Sequence, residues 1–259
     1  LRRLFPRSTR NFYLDVARGG IQGHTSVVVR GHNPTQTVAS GFVDVSPFGD
    51  LVHLATAELM SVVSDNVADT LLGIGARTVL VEGVDASGAA IQEQLSLNGL
   101  TPVLTTQAYL RVNQVTVTSA GSSAWNVGIV TTAAAVAATT QSQILATESL
   151  SQCAFYTVPL GCTLFVTQVE MNLIRSSGAP IVTFEGRGRV GGAFHGAPWV
   201  DFYDKTLDAQ RGVTLEQHFP IPEGTPTERT DIRFRTDVDL DGTETRIRMY
   251  GVLIKDGAQ

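Results

Sequence analysis

The residues Gly186-Arg187-Gly188-Arg189-Val190-Gly191 fit the pattern G-x-G-x-x-G. That spacing binds a dinucleotide when a strand precedes it and a helix follows, because the pyrophosphate then meets the helix N-terminus. Here the glycines lie inside a period-two stretch, with Val182, Phe184, Gly186, Gly188 and Val190 on one side and Thr183, Glu185, Arg187 and Arg189 on the other. Gly192, Pro198 and Trp199 follow, so no helix can start there. The glycines read as sites of close packing or a bulge, and no cofactor is expected. Asp237, Asp239 and Asp241, followed by Gly242, resemble the opening of a calcium loop, where alternate carboxylates supply hard oxygen ligands. The helical version needs a glutamate six residues after the glycine, and Arg248 stands there. A solvated hairpin tip is the reading, with a weak calcium site as its alternative.

None of the five histidines (His24, His32, His53, His195, His218) forms an H-x-H or H-x-x-x-H pair, so metal spacing is not visible. There is no G-x-S-x-G elbow, and Cys153 lacks the local signature of a nucleophile. Cys153 and Cys162 flank Pro159 and Gly161; two free thiols are expected, a bridge being the alternative. Trp125, Trp199, Phe202 and Tyr203 are the aromatic residues that could line a sugar-binding surface, with Trp199 and Tyr203 as its centre. Trp199, beside Pro198, fits equally as a core plug. The chemistry-bearing residues therefore predict no enzyme.

The elements that carry these residues read as β-structure. The chain has 259 residues, 43% of them hydrophobic, with a net charge of -5. The charged fraction is 17%, low against about 25% in an average domain. Thr, Ser, Val, Ala and Gly take the place of the missing charges, which suits β-sheets with hydroxyl-rich faces and a protein packed against copies of itself. The negative balance disfavours general nucleic-acid binding. No apolar run approaches the roughly 20 residues that span a bilayer, so no membrane partner is expected. The N-terminus shows no signal-peptide pattern. It begins at Leu1 rather than Met, and whether residues precede Leu1 is left open.

Residues 1–35 read as an extended arm holding one short strand, Thr25 to Arg30. Arg2, Arg3, Arg7 and Arg10 occur there without an acid, as a solvated tail or as a latch on an acidic partner. A first β domain is expected over 36–135. Arg77 to Val84 is a strand, Asp85-Ala86-Ser87-Gly88 a turn with Asp first and Gly last, and Ile91 to Leu97 an alternating strand. Glu93 interrupts its apolar face and places it near an edge. Asn98-Gly99 marks a turn, and Tyr109 to Thr118 another strand. Residues 136–150, Ala- and Thr-rich without an amphipathic stripe, read as a linker.

Over 151–259 the alternation is strict. Phe165, Thr167, Val169, Met171 and Leu173 share a face. Ile232, Phe234, Thr236 and Val238 oppose Asp231, Arg233, Arg235 and Asp237, and Ile247, Met249, Gly251 and Leu253 close the series. One buried and one charged face per strand predicts antiparallel sheets. Short strands between Gly/Pro/Asp turns predict an all-β, antiparallel β-sandwich of jelly-roll type.

Three sets of segments carry a resemblance. They are Leu54-Ala55-Thr56-Ala57-Glu58-Leu59 with Gly75-Ala76-Arg77-Thr78-Val79 and Glu82-Gly83-Val84-Asp85; Leu97-Asn98-Gly99-Leu100-Thr101-Pro102-Val103 with Tyr109-Leu110-Arg111-Val112 and Ser119-Ala120-Gly121-Ser122; and Ala154-Phe155-Tyr156-Thr157-Val158-Pro159-Leu160-Gly161 with Arg229-Thr230-Asp231-Ile232-Arg233. In this order, over roughly residues 50–259, the chain resembles uncharacterised virion structural proteins of tailed, often marine, bacteriophages. The resemblance implies an accessory virion component (capsid decoration, neck or tail) that is assembled in the host cytoplasm. It implies oligomerisation, with a trimer expected, and docking on other virion proteins such as major capsid, portal/neck or tail proteins. It transfers no catalytic residue. Leu160 and Cys162 depart from the small or polar residues expected around that turn. The alternative function is a carbohydrate-binding, receptor-recognition module on a phage appendage.

Overall fold

The computed structural model describes residues 12–174, 178–189, 198–208, 215–217 and 230–257, with the backbone alone at 203 and 215–217. After a short helix α1 (Phe12–Ala17) the described chain is almost wholly β-structure. The strands are β1 (His24–Gln36), β2 (Val43–Asp44), β3 (Glu58–Ser64), β4 (Ala76–Val84), β5 (Ala90–Ser96), β6 (Val103–Tyr109), β7 (Arg111–Ala120), β8 (Val130–Ala134) and β9 (Thr140–Ile144). They continue with β10 (Phe155–Thr157), β11 (Cys162–Ile174), β12 (Ile181–Arg189), β13 (Val200–Asp208), β14 (Leu215–Gln217), β15 (Asp231–Val238) and β16 (Thr243–Lys255).

Strand pairing defines a jelly roll. β1 pairs β16, β2 pairs β15, β11 pairs β14 and β12 pairs β13, all antiparallel. First meets last and second meets second-to-last, so the chain is a long hairpin wound over itself into two sheets. One sheet runs β1-β16-β11-β14; in the other β15 and β12 are central, with β13 at one margin. The apolar faces expected on β12, β15 and β16 close on one core, where Val182, Phe184, Ile232, Phe234, Ile247 and Met249 are buried.

The margin beyond β15 holds two strands in line. β2 lies opposite Arg235 and Thr236, and β10 lies opposite Asp231 to Arg233. Between them the Phe234 carbonyl accepts the Val45 N–H (3.0 Å), and the Phe234 N–H donates to the Ala154 carbonyl (3.0 Å). The Ala154 N–H in turn reaches the Val45 carbonyl (3.1 Å). β2 and β10 are thus two halves of one jelly-roll strand, spliced apart by everything between Val45 and Ala154. That insertion is a second sandwich. Its sheets are β6-β3-β8-β9 and β5-β4-β7, packed around Met60, Val62, Val79, Val81, Tyr109 and Ile144.

Several boundaries fall elsewhere than expected. Residues 24–35 are not an arm: they form most of β1, which pairs with β16 along its length. Hydropathy hides this strand because His32, Asn33 and Gln36 are buried polar residues. Gln36, for example, donates to the Thr236 carbonyl (2.5 Å) and accepts the Thr236 hydroxyl (2.6 Å). Val43 and Asp44 also belong to the jelly roll rather than to the first β domain. The expected linker contains β9, whose Gln141 and Ser142 are buried; Gln141 donates to the Val52 carbonyl (3.1 Å). In β11 the register slips between Val166 and Gln168. A bulge there buries Leu164 and Val166 before it and Val169, Met171 and Leu173 after it, and Phe165 turns outward. Glu93 does mark a margin: its carboxylate accepts the Thr106 and Gln107 N–H groups of β6 (2.9 and 3.0 Å).

Candidate functional site

The outer face of β15 carries Asp231, Arg233 and Arg235, which sequence alternation assigns to solvent. The inserted sandwich and its connection cover them. Arg111 opens β7 with its side chain fully buried, and its Nη2 lies 3.6 Å from the Asp231 carboxylate. Its Nη1 donates to the Leu54 and Leu110 carbonyls (3.0 and 2.8 Å). Asp231, 1% exposed, also pairs with Arg189 of β12 and accepts the Thr157 hydroxyl (2.6 Å). Alongside, Arg233 and Arg235 reach the Asp44 carboxylate (3.7 and 3.6 Å), and Arg235 also reaches Asp50 (3.9 Å).

His53, on the connection from β2 to β3, sits 5.0 Å from the Phe155 ring and 5.6 Å from the Trp199 ring. Burial, then the Arg111 charge, lowers its pKa to about 3. Its imidazole is therefore neutral, and among the described residues neither ring nitrogen has a hydrogen-bond partner. Burial raises the Asp44 carboxyl and lowers the Arg111 and Arg233 guanidiniums, opposed by their ion-pair partners. Guanidiniums stay charged in proteins, so the cluster holds its ion pairs in a low-dielectric seam.

Two further contacts fasten the same seam. The Asn113 amide donates to the Thr157 carbonyl and accepts the Thr157 N–H (both 2.8 Å), as a backbone neighbour would. His32 of β1 bridges Gln152 (3.0 Å) and Glu244 (2.9 Å). Chemically this is a lock. Asp44 and Asp231 each face two guanidiniums, and the Thr157 hydroxyl beside Asp231 is tied into the same set.

The residues singled out by sequence are dispersed. Trp199 is half-buried in the cluster. The Arg189 and Arg233 guanidiniums lie over its ring at 4.7 and 4.2 Å, so the ring is engaged by cations rather than offered to a sugar. Tyr203 pairs with Gly186 through the backbone. A Cβ at Gly186 would meet Phe202 and Phe234 at 3.0–3.1 Å, which explains that glycine by packing. Asp239 accepts the Ile181 N–H and Asp241 the Val38 N–H, both at 2.7 Å. These carboxylates anchor separate neighbours of the β15–β16 hairpin. Among the described residues no group of three His, Cys, Asp or Glu side chains could hold a metal. Cys153 and Cys162 are free thiols; burial pushes both pKa values up, away from the nucleophilic thiolate. Arg2, Arg3, Arg7 and Arg10, and with them His195 and His218, lie outside the described residues.

A cleft of about 450 Å³ separates β1 from the β5-β4-β7 sheet, lined among others by Thr25, Val28, Gln92, Gln114 and Tyr156. Glu82 is its one carboxylate, raised by burial, and burial raises the Tyr156 phenol of the same lining too. Among the described residues no helix is long and apolar enough to cross a membrane.

Sequence reasoning missed the charge lock. Its members look like ordinary outer-face charges, and the only hint was their number on one strand, Asp231, Arg233 and Arg235 in a chain otherwise poor in charge.

No family model matches the chain, and no curated protein matches it. Among solved structures, a chain from infectious bursal disease virus, Gx strain, is 12% identical with a TM-score of 0.26, over 91% of this chain and 73% of that one. The VP2 subviral particle of the same virus is 10% identical with a TM-score of 0.23, over 92% and 73%. T=1 particles derived from that virus give 13% and 0.23, over 92% and 71%. Scores this low carry no argument about what this chain does. The fold is established by its own strand order: an all-β jelly roll with a second sandwich spliced into one strand.

Proposed function

We propose that the chain is a non-enzymatic structural protein of a virus particle, an accessory component of a tailed-phage virion. It works by binding copies of itself, as a trimer in the simplest case, and by docking on capsid, neck or tail proteins. The observation that carries this reading is the splice with its charge lock. A jelly-roll base holds a second sandwich through two covalent crossings, a buried ion-pair cluster and the Asn113 bridge, so the two move as one body. Buried charges committed to each other give rigidity and a fixed register, which assembly needs and turnover does not. The ordered resemblance to phage virion proteins supports the same reading.

Residues 1–11, with four arginines, remain the proposed latch onto an acidic partner surface. The test is a chain lacking residues 1–11, expressed beside a full-length control during infection. Full-length chain should co-purify with particles, and the shortened chain should stay folded, by circular dichroism, and unincorporated. Equal incorporation of both would overturn the latch. Absence of the full-length chain from particles would overturn the virion role.

A further inference from the structure

The cleft of about 450 Å³ between β1 and the β5-β4-β7 sheet falls in the size range of small-ligand sites, roughly 300–1,000 Å³. Its floor is one cross-strand row. Glu82 of β4 lies opposite Gln92 of β5 on one side and Gln114 of β7 on the other. Residues directly opposite share a face of the sheet, so an amide, a carboxyl group and a second amide stand side by side. The register of β7 against β4 slips just after this row. Glu82 pairs Gln114 and Gly83 pairs Val112, which leaves Asn113 as the extra residue. A bulge re-aims side chains, and the Asn113 amide meets the Thr157 backbone in its two 2.8 Å hydrogen bonds.

Those bonds fix the neighbour of Thr157. Tyr156 packs in the jelly-roll core, is 9% exposed and lines the cleft. Burial raises its pKa first, then Cys162 and the Glu82 carboxylate, so the phenol lies within electrostatic reach of Glu82. The Leu160 N–H donates to the Gly88 carbonyl (2.8 Å), which ties the turn after Pro159 to the turn between β4 and β5. Both sandwiches thus contribute walls that are already held in place, and little ordering cost remains for a ligand.

Two polar groups of this cleft are unspent. Among the described residues neither the Glu82 carboxylate nor the Tyr156 hydroxyl has a hydrogen bond or an ion pair. A buried tyrosine normally finds a partner for its O–H, and leaving such a donor unpaired is costly.

We propose that this cleft binds a neutral saccharide, with Glu82 and the Tyr156 hydroxyl as its main hydrogen-bonding groups. The chemistry of the lining selects that class. Among the described residues it holds no lysine, arginine or histidine, so a phosphate, a nucleotide or a carboxylate would find no countercharge. A cation would find a single carboxyl group, which burial pushes toward its neutral form, and one aromatic residue, too few for an aromatic cage. A sugar hydroxyl both donates and accepts, so it can serve Glu82 in either protonation state. The glutamine amides offer the same mixture; Gln114 donates to the Thr116 hydroxyl (3.1 Å) and keeps its oxygen free. Val28, Ile91 and Leu253, all half-buried, supply apolar surface for the C–H faces of a ring. The site is separate from Trp199, whose ring is covered by arginines, and it goes beyond the virion role without depending on it.

The test is binding of the full chain to a printed array of neutral and acidic glycans. Isothermal titration calorimetry follows with the strongest neutral binder, and with tetramethylammonium chloride as a probe for cations. The variants are Glu82→Ala, Tyr156→Phe and a control, Val136→Ser, at an exposed position on the β8–β9 connection outside the lining. The wild type should bind neutral glycans saturably at one site per chain. Glu82→Ala should weaken binding about tenfold or more, as loss of a hydrogen bond to a charged group does. Tyr156→Phe should weaken it several-fold, and Val136→Ser should not change it. Tyr156→Phe keeps its ring in the core and so stays folded even if Glu82→Ala does not; circular dichroism checks both.

An array on which no neutral glycan binds overturns the inference and leaves the cleft to water. So does glycan binding that both cleft variants retain, or a preference for acidic glycans. Tetramethylammonium that binds more tightly than any neutral glycan and is lost with Glu82→Ala also overturns it, and assigns the cleft to cations. A chain that binds a glycan but never enters particles loses the virion role alone. A chain that enters particles and binds no glycan loses this site alone.

Discussion

Replacing Asp231 with asparagine should destabilise the protein by about 3 kcal/mol or more, the lower part of the 3–5 kcal/mol measured when one member of a buried ion pair is removed. The substitution preserves shape and keeps an acceptor for the Thr157 hydroxyl. It removes the carboxylate 3.6 Å from the Arg111 Nη2, which also pairs Arg189. Arg189 retains some exposure and the Trp199 ring, so most of the cost falls on Arg111, whose side chain is fully buried. A urea m-value near 3 kcal/mol/M, the upper part of the range for small proteins, turns this into a midpoint shift of about 1 M. Trp199 reports on the cluster directly if the second tryptophan is changed, so the assay is its fluorescence in a Trp125→Phe background. Adding Arg111→Met should recover stability, because the uncompensated charge is then gone. A midpoint shift below about 0.3 M, or no recovery in the double variant, would refute the reasoning and mean that water reaches the seam.

Three further outcomes follow from the same structure. His53 has a folded pKa near 3, below its unfolded value, so the unfolded chain binds the extra proton: stability should fall as pH drops from about 6.5 toward 3, with a slope of at most ~1.4 kcal/mol per pH unit. Asp44 and Glu82, whose carboxyl pKa values burial raises, act with the opposite sign at the acid end, so the readout is the difference in urea midpoint between wild type and His53→Gln across pH 4–7.5, which should change with pH below about 6.5 and become constant above pH 7. Gly31→Ala should destabilise the jelly roll by about 1–3 kcal/mol, measured by thermal unfolding, because the new methyl would lie 2.4 Å from the Ala154 Cβ and 2.5 Å from the Val45 carbonyl oxygen, both at the splice. Asp69→Ala strands the buried N–H groups of Ala76 and Gly128 at about 1–3 kcal/mol each and frees the half-buried Val127 N–H, and hydrogen exchange should speed up in residues 65–75 and 121–129 while β11 and β16 keep their protection.

Where one face of a strand is apolar and the other charged, as in β12, β15 and β16, the sequence was sufficient to place the strand and its buried side. Turn chemistry was equally readable: Asp85 accepts the Ser87 and Ala89 N–H groups (2.8 and 3.0 Å), and Gly88 takes a φ of 85°. Strands that bury polar residues were not readable, because the partners that satisfy Gln36 and Gln141 lie far away in the chain. The bulge in β11 misled for another reason, since period-two counting assumes an unbroken register. The charge lock was hidden because alternation reports only which residues point away from one core. It cannot show that a second body covers that outer face.

The splice also dictates an order of events in folding. β2 and β10 align as one strand only when Val45 and Ala154 are brought within hydrogen-bonding distance, and an unfolded insertion would hold those ends apart as a loop of roughly 110 residues, whose closure opposes the pairing with β15. Once the inserted sandwich folds, its own pairing supplies that closure. The insertion should therefore gain structure first and act as the template on which the base completes its sheet; pulse-labelling hydrogen exchange that found β15 protected before β3 and β8 would show the reverse order. On a nascent chain, β1 and β2 emerge early and must wait for partners made last, so the self-contained sandwich between them is the part that can fold while synthesis continues.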